Sequence, residues 1–157
     1  MVRKPNGSWR RCGDYRRINK ITTPDRYPLP NIEHFHQRLQ NSTIFSKLDL
    51  VKAYHFIPVD PKDVAKTAIC TPFGSFEYLR MPFGLRNSSG TFQRLIDTRL
   101  RDFPFTSAYL DDILIASSSH EQHEKDLRLV LSKLEDRGLR VHEDKCKFFQ
   151  HEIDFLG

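Results

Sequence analysis

The sequence predicts an α+β fold, and three observations predict it. Strand-like and helix-like runs alternate irregularly rather than as a repeating βαβ unit, which argues against a doubly wound parallel sheet. Residues 107–116 set two apolar arms, carrying Tyr109, Ile113 and Ile115, around the adjacent acids Asp111 and Asp112, and so read as two short strands joined by a tight turn. Residues 43–49 alternate with period two, Ile44 and Leu48 facing away from Thr43, Phe45 and Lys47, and end on a further acid, Asp49.

The 157 residues suit one domain spanning 1–157 with a real core. A hydrophobic content of 38% and a charged content of 29% are those of an ordinary soluble protein. No apolar run approaches a membrane span, and Met1-Val2-Arg3-Lys4-Pro5 lacks the apolar core of a signal peptide. The net charge of +5 is concentrated: Arg3, Lys4, Arg10, Arg11, Arg16, Arg17 and Lys20 lie in the first twenty residues, with Trp9 and Tyr15 among them. Cations interleaved with aromatics suit phosphate contact and base stacking, although a solvated basic segment has the same composition. Three widely spaced cysteines (Cys12, Cys70, Cys146) point to a reduced setting rather than a disulfide framework. His120, His123, Cys146 and His151 match no familiar zinc spacing.

In chain order, residues 1–20 read as a basic hairpin turning at Pro5-Asn6-Gly7-Ser8. Pro24, Pro28 and Pro30 make residues 21–30 an extended connector, and Pro30 opens a helix with Ile32, Phe35 and Leu39 on one face. The strand 43–49 follows, then a turn-rich break at 58–62. Strands are expected at 66–71 and 76–80 around the turn Pro72-Phe73-Gly74-Ser75. Met81-Pro82-Phe83-Gly84-Leu85 is a second break before a helix of about fifteen residues whose buried stripe is Phe92, Leu95, Ile96 and Leu100. After the acidic hairpin, Ser118 and Glu121 have capping-box spacing at the start of a helix bearing Leu127, Val130, Leu131 and Leu134, closed by Gly138. Residues 153–157 are expected to lie in another strand.

The acids carry the chemistry. If the strand ending at Asp49 pairs with the acidic hairpin, three carboxylates meet at one sheet edge. Such a set can hold two divalent ions for in-line displacement at phosphorus, and the basic arm supplies charge for a triphosphate and template. A solvated acidic turn would look the same taken alone.

The rest of the series decides between them. Trp9-Arg10, Asp14-Tyr15-Arg16, Asn19-Lys20, Arg26-Tyr27-Pro28-Leu29-Pro30, Phe45-Ser46-Lys47-Leu48-Asp49-Leu50, Ala53-Tyr54-His55, Met81-Pro82-Phe83-Gly84-Leu85, Tyr109-Leu110-Asp111-Asp112 and Phe155-Leu156-Gly157 follow one another in order. The chain thereby resembles the reverse transcriptases of gypsy-type LTR retrotransposons over essentially all of its length. The resemblance implies a right-hand polymerase, with residues 1 to about 80 interleaving fingers and palm and the remainder mostly palm, an antiparallel sheet backed by helices. It implies an RNA-directed DNA polymerase in which a primer 3′-hydroxyl attacks the α-phosphate of a dNTP. Two Mg²⁺, with Mn²⁺ as a substitute, would be held by Asp49, Leu50 (through its carbonyl) and Asp111, with Asp112 in support. The nucleotide would be contacted by Arg3, Lys4, Arg10, Lys52, Ala53, Tyr54, Phe83 and Gly84, the Tyr54 ring lying under the sugar and excluding a ribose 2′-hydroxyl. Lys145 would donate a proton to the leaving pyrophosphate, a role a surface lysine in Glu143-Asp144-Lys145 would mimic in sequence.

Two stretches depart from the family pattern: Phe56 stands where Gln is usual, and after Leu85 the chain reads Asn87-Ser88-Ser89-Gly90 where Asn-Ala-Pro is usual, so that Ser89 stands at the proline. Losing proline there loosens a helix start. The resemblance further implies a template and primer of RNA or DNA as partners, together with the rest of a Pol polyprotein: thumb, ribonuclease H and integrase. It implies a cytoplasmic virus-like particle with DNA product bound for the nucleus. Two other readings share the residues: a catalytically inactive nucleic-acid-binding remnant of a decayed element, and a palm-type polymerase making RNA, against which Tyr54 argues.

Overall fold

The computed structural model describes residues 2–3, 7, 9–10, 12–31 and 39–156. It divides into two compact units, Met1–Arg26 with Tyr54–Phe92, and Tyr27–Ala53 with Gln93–Gly157.

The second unit is built on a four-stranded antiparallel sheet in the order β6-β7-β3-β8, where β3 is Ile44–Asp49, β6 Thr106–Tyr109, β7 Asp112–Ser117 and β8 Lys147–Gln150. Period-two patterning explains β3: Ile44, Ser46 and Leu48 are buried, while Phe45, Lys47 and Asp49 take the other face. β7 lies between two partners, and its residues Ile113 to Ser117 are all buried, as a central strand requires. Helix α3 (His120–Glu135) packs on β3 and β7 and buries Leu127, Val130 and Leu134. Its cap is Ser119, whose side chain accepts from Gln122 N–H, so the capping pair sits one residue later than Ser118 and Glu121.

One buried side chain crosses this packing. His123, with no exposed surface, bonds through Nε2 to Ser46 Oγ at 2.7 Å and through Nδ1 to Ser117 Oγ at 2.9 Å. The Ser117 hydroxyl donates to Asp126 Oδ2 at 2.7 Å, so it must accept from His123 Nδ1–H. Nε2 then accepts from the Ser46 hydroxyl, which accepts in turn from Phe149 N–H at 3.1 Å. Every donor thus has one acceptor in a chain running from the β8 backbone to a carboxylate, with neutral imidazole in the middle. Burial, first, and His120 lower the His123 pKa, against Asp126, which raises it. The register between β3 and β8 shifts by one residue between Phe45 and Lys47, and Phe149, in the bulged part of β8, has φ +53°.

In the first unit, β1 (Val2–Arg3) pairs antiparallel with β2 (Trp9–Arg10), and β4 (Ile69–Thr71) with β5 (Gly74–Phe76). Helix α1 is Arg16–Ile21, and α2, Ser88–Leu100, begins here and runs on into the second unit. Tyr15 is buried and donates to Thr67 O at 3.0 Å; burial, first, pushes its phenol up to about 12. Gly13 must lack a side chain, because a Cβ there would meet the Tyr15 ring at 2.6 Å. Two asparagines stitch the unit reciprocally. Asn19 Nδ2 donates to Gly84 O (2.8 Å) and its Oδ1 accepts from Arg86 N–H (2.9 Å), while Asn87 Nδ2 donates to Thr23 O (2.9 Å) and its Oδ1 accepts from Asp25 N–H (3.0 Å).

Several sequence expectations are corrected. Residues 16–21 are helical rather than part of a hairpin; Asp14, whose carboxylate accepts from Arg16 N–H at 3.1 Å, starts the turn. Lys66 and Thr67 close a 3₁₀ stretch, Pro61–Thr67, which Asp60 caps with proline in the first turn, so the strand begins only at Ile69. Its partner ends at Phe76, and Gly74 and Ser75 belong to it rather than to the turn. Residues 153–156 form no strand; the last one is β8, where the two aromatics of Lys147-Phe148-Phe149-Gln150 supply the β-forming signal. The helix expected after Pro30 falls on residues 32–38, and the turn Pro5-Asn6-Gly7-Ser8 largely on residues 5, 6 and 8, all outside the described residues. Among the described residues no helix is long and apolar enough to cross a membrane.

Candidate active site

The sheet register brings the acids together. Asp49, the last residue of β3, stands directly across from Asp112, the first residue of β7, and Leu50 N–H donates to Asp111 O at 2.9 Å. Asp111 forms the turn with Leu110, and Asp112 has already entered the strand, opposite Tyr109. The left-handed residue is Leu110, φ +53°, rather than an aspartate as turn chemistry would suggest. A leucine there costs about 1–2 kcal/mol and leaves both acids outside the left-handed region.

Gln93 secures that strained turn, and sequence reasoning missed it. It is wholly buried; Oε1 accepts from Leu110 N–H at 2.8 Å, and Nε2 donates to Ala108 O and Asp97 Oδ1, both at 2.9 Å. Asp97 also accepts from the Tyr27 hydroxyl at 2.7 Å, the first cause of that phenol's raised pKa. The available signal was a polar residue between Phe92 and Ile96 on a helix face otherwise apolar.

Two lysines answer the acids. Lys145 Nζ lies 3.1 Å from both oxygens of Asp49, and Lys47 Nζ 3.2 Å from Asp112 Oδ1. Lys145 arrives there because Gly138, φ +73°, reverses the chain after α3, Val51 N–H donates to Arg140 O, and His142 N–H donates to Asp49 O (2.7 Å). The 3₁₀ turn Glu143–Lys145 then begins beside the end of β3. Asp111 has a raised pKa: burial, first, and the like charges of Asp112 and Asp49 raise it, against a backbone hydrogen bond and Lys145, which lower it. Carboxylate oxygens are donors of the kind that a hard divalent cation takes. Among the described residues, however, no three His, Cys, Asp or Glu side chains converge on a single ion as they stand.

Leu50 and Ala53 are buried, and Lys52 is exposed with φ +51°. Tyr54 and Phe83 are half-buried and meet edge to face, centroids 5.0 Å apart. Gly84, φ +94°, is exposed, and a Cβ there would come within 3.5 Å of the Tyr15 ring. Arg3 is exposed on β1. Lys4 and the side chain of Arg10 lie outside the described residues.

A four-stranded antiparallel sheet backed by α3, with acids at the end of its central pair, is the arrangement of a polymerase palm. Residues 2–157 match the family described as "Reverse transcriptase (RNA-dependent DNA polymerase)". The chain is 44% identical over 163 residues to the "Retrovirus-related Pol polyprotein from transposon 297" of Drosophila melanogaster, covering 100% of this chain and 15% of that protein. It is 42% identical over 159 residues to the "Transposon Tf2-3 polyprotein" of Schizosaccharomyces pombe, again covering 100% of this chain and 12% of that protein. Among solved structures, a foamy viral protease–reverse transcriptase in complex with double-stranded DNA superposes with a TM-score of 0.93 at 28% identity, covering 99% of this chain and 28% of that one. The same enzyme with an RNA/DNA hybrid gives 0.90 at 27%, covering 99% and 21%. The chain belongs to the reverse transcriptase family, and it spans a small part of the length of these relatives.

Proposed function

We propose that the chain is the catalytic fingers-and-palm part of an RNA-directed DNA polymerase from a retrotransposon Pol polyprotein. The observation that carries this is the cross-strand pairing of Asp49 with Asp112, beside Asp111, at one end of a buried antiparallel sheet. Asp49, Asp111, Asp112 and the Leu50 carbonyl would hold Mg²⁺, or Mn²⁺ in its place, which supplies Lewis-acid stabilisation of charge at phosphorus and lowers the pKa of the attacking hydroxyl. The chain's own groups do the rest. Gln93 holds the turn that presents Asp111. Lys145 carries a proton beside Asp49 and, on releasing that carboxylate, donates it to the leaving pyrophosphate. Tyr54 lies under the incoming sugar, Phe83 and Gly84 flank the nucleotide, and Arg3, Lys4 and Arg10 bind triphosphate, with an RNA or DNA template and primer as partners.

A second reading, a nucleic-acid-binding remnant without polymerase activity, is favoured by one observation: lysines already neutralise Asp49 and Asp112. Primer extension on RNA with dNTPs separates the two. The polymerase reading expects extension that requires Mg²⁺, stops with EDTA and disappears in Asp111→Asn. Salt-sensitive template binding, indifferent to Asp111→Asn and without extension even when a related thumb is fused, establishes the remnant.

A further inference from the structure

Tyr54 is the second residue of the 3₁₀ turn Ala53–Phe56, and three side chains of its own unit hold it. The Phe83 ring meets it edge to face at 5.0 Å and 79°, and the fully buried Phe92 at 5.6 Å and 85°. The third contact is polar: the Tyr54 hydroxyl and Ser89 Oγ lie 3.2 Å apart and share a hydrogen bond. Ring contacts of this kind hold the body of the ring and leave its hydroxyl end to other partners. The hydroxyl pair is directional, and it anchors the far tip of the ring.

Ser89 occupies the first turn of α2, where a backbone N–H has no helical partner and proline is tolerated without loss. It is also where the family pattern usually carries that proline, which has no hydroxyl to offer. The neighbouring Ser88 is already committed, donating to Pro82 O at 3.3 Å. The departure that loosens the helix start therefore also creates a tether on Tyr54.

We propose that Ser89 is a specificity-setting positioning residue: its hydroxyl pins the Tyr54 phenol, and so fixes how strictly the site rejects a ribose 2′-hydroxyl. The inference rests on the polymerase reading of Tyr54. Ser89 touches neither nucleotide nor metal in this scheme and acts only through the ring.

The test compares kcat/KM for a dNTP and the matching rNTP in the polymerase, for Ser89→Ala, Ser89→Thr, Tyr54→Phe, the Ser89→Ala/Tyr54→Phe pair and Tyr54→Ala. Loss of one hydrogen bond predicts that Ser89→Ala relaxes discrimination by about three- to tenfold, through a lower KM for the rNTP rather than through kcat. Tyr54→Phe matches it, the double variant adds nothing, and Ser89→Thr restores discrimination by keeping the hydroxyl. If Tyr54→Ala abolishes discrimination while Ser89→Ala and Tyr54→Phe leave it intact, the tether is overturned and the sugar-excluding ring stands. If Tyr54→Ala itself changes nothing, the reading of Tyr54 is what fails. A second readout needs no turnover: in protein labelled with ¹³Cζ-tyrosine, Ser89→Ala shifts and broadens the resonance assigned by its loss in Tyr54→Phe. An unmoved resonance overturns the proposal.

Discussion

β3 carries two polar arrangements three residues apart, and they obey opposite rules. On its buried face, Ser46 joins the chain from Phe149 N–H through His123 and Ser117 to Asp126, in which each hydrogen has one acceptor and the imidazole stays neutral. On its other face, Asp49 meets Asp112 across the strands, and Asp111 adds a third acid, with two lysines set against them. The first arrangement is complete without any outside group. The second holds like charges together and is left improved by an added cation. A sheet built for stability alone would contain only the first, and the contrast supports the proposal that the acid end is the reactive part of this sheet.

The comparison breaks most visibly at Asp111. Replacing it with asparagine should lower primer extension by at least on the order of a hundredfold while making the protein harder to unfold in urea at neutral pH. The folded carboxyl binds its proton more tightly than the unfolded chain, whose value is 3.8. Ionisation therefore costs nothing below 3.8, costs more as pH rises through the raised folded value, and costs its full amount at pH 7. Asparagine removes that pH-dependent cost. A loss of stability in this variant would deny that the folded state penalises the Asp111 charge.

His123→Ala should act in the opposite sense, destabilising the fold by about 2–4 kcal/mol, since it opens a cavity and leaves the Ser46 hydroxyl without its acceptor. The same residue predicts an acid limb. Its folded pKa is depressed, so its contribution is whole above the unfolded 6.5 and is lost as pH falls through the lower folded value. Urea titrations between pH 7 and 4 should show this limb in the native protein and not in His123→Ala. Gln93→Ala leaves Leu110 N–H without its buried acceptor and should cost about 1–3 kcal/mol, with a fall in extension alongside, because the turn carrying Asp111 loses its brace. The smallest effect sharpens the contrast from the helix side: Ser119→Ala removes the cap of α3 and should lower stability by about 1 kcal/mol, with no change in the acid limb.

Much of the sheet was legible in sequence because both faces of β3 are written in period two, and because Asp49 and the acid pair each end an apolar run. The pairing of Asp49 with Asp112 followed once those runs were joined. Elements held by single local contacts were not legible. The Asp14 turn that starts α1, the Asp60 cap and the shift from Ser118 to Ser119 each depend on one side chain finding one N–H. Gln93 escaped notice because a helical stripe is scored by its apolar members. Leu110 in the left-handed region contradicts its own propensity and is braced by Gln93, which no local pattern announces.

The two faces of β3 have a consequence for how the molecule assembles. Were β3 to slide by one residue against β7, Lys47 and Asp49 would turn into the interior, Ser46 would leave His123, and Asp49 would no longer face Asp112. Each of these errors is costly by itself, and they occur together. The strand thus works as a ruler that inspects its own alignment: a misassembled sheet is penalised on one side by stranded polar atoms and on the other by buried charge. A chain that folds stably has, by that fact, set its acids in line.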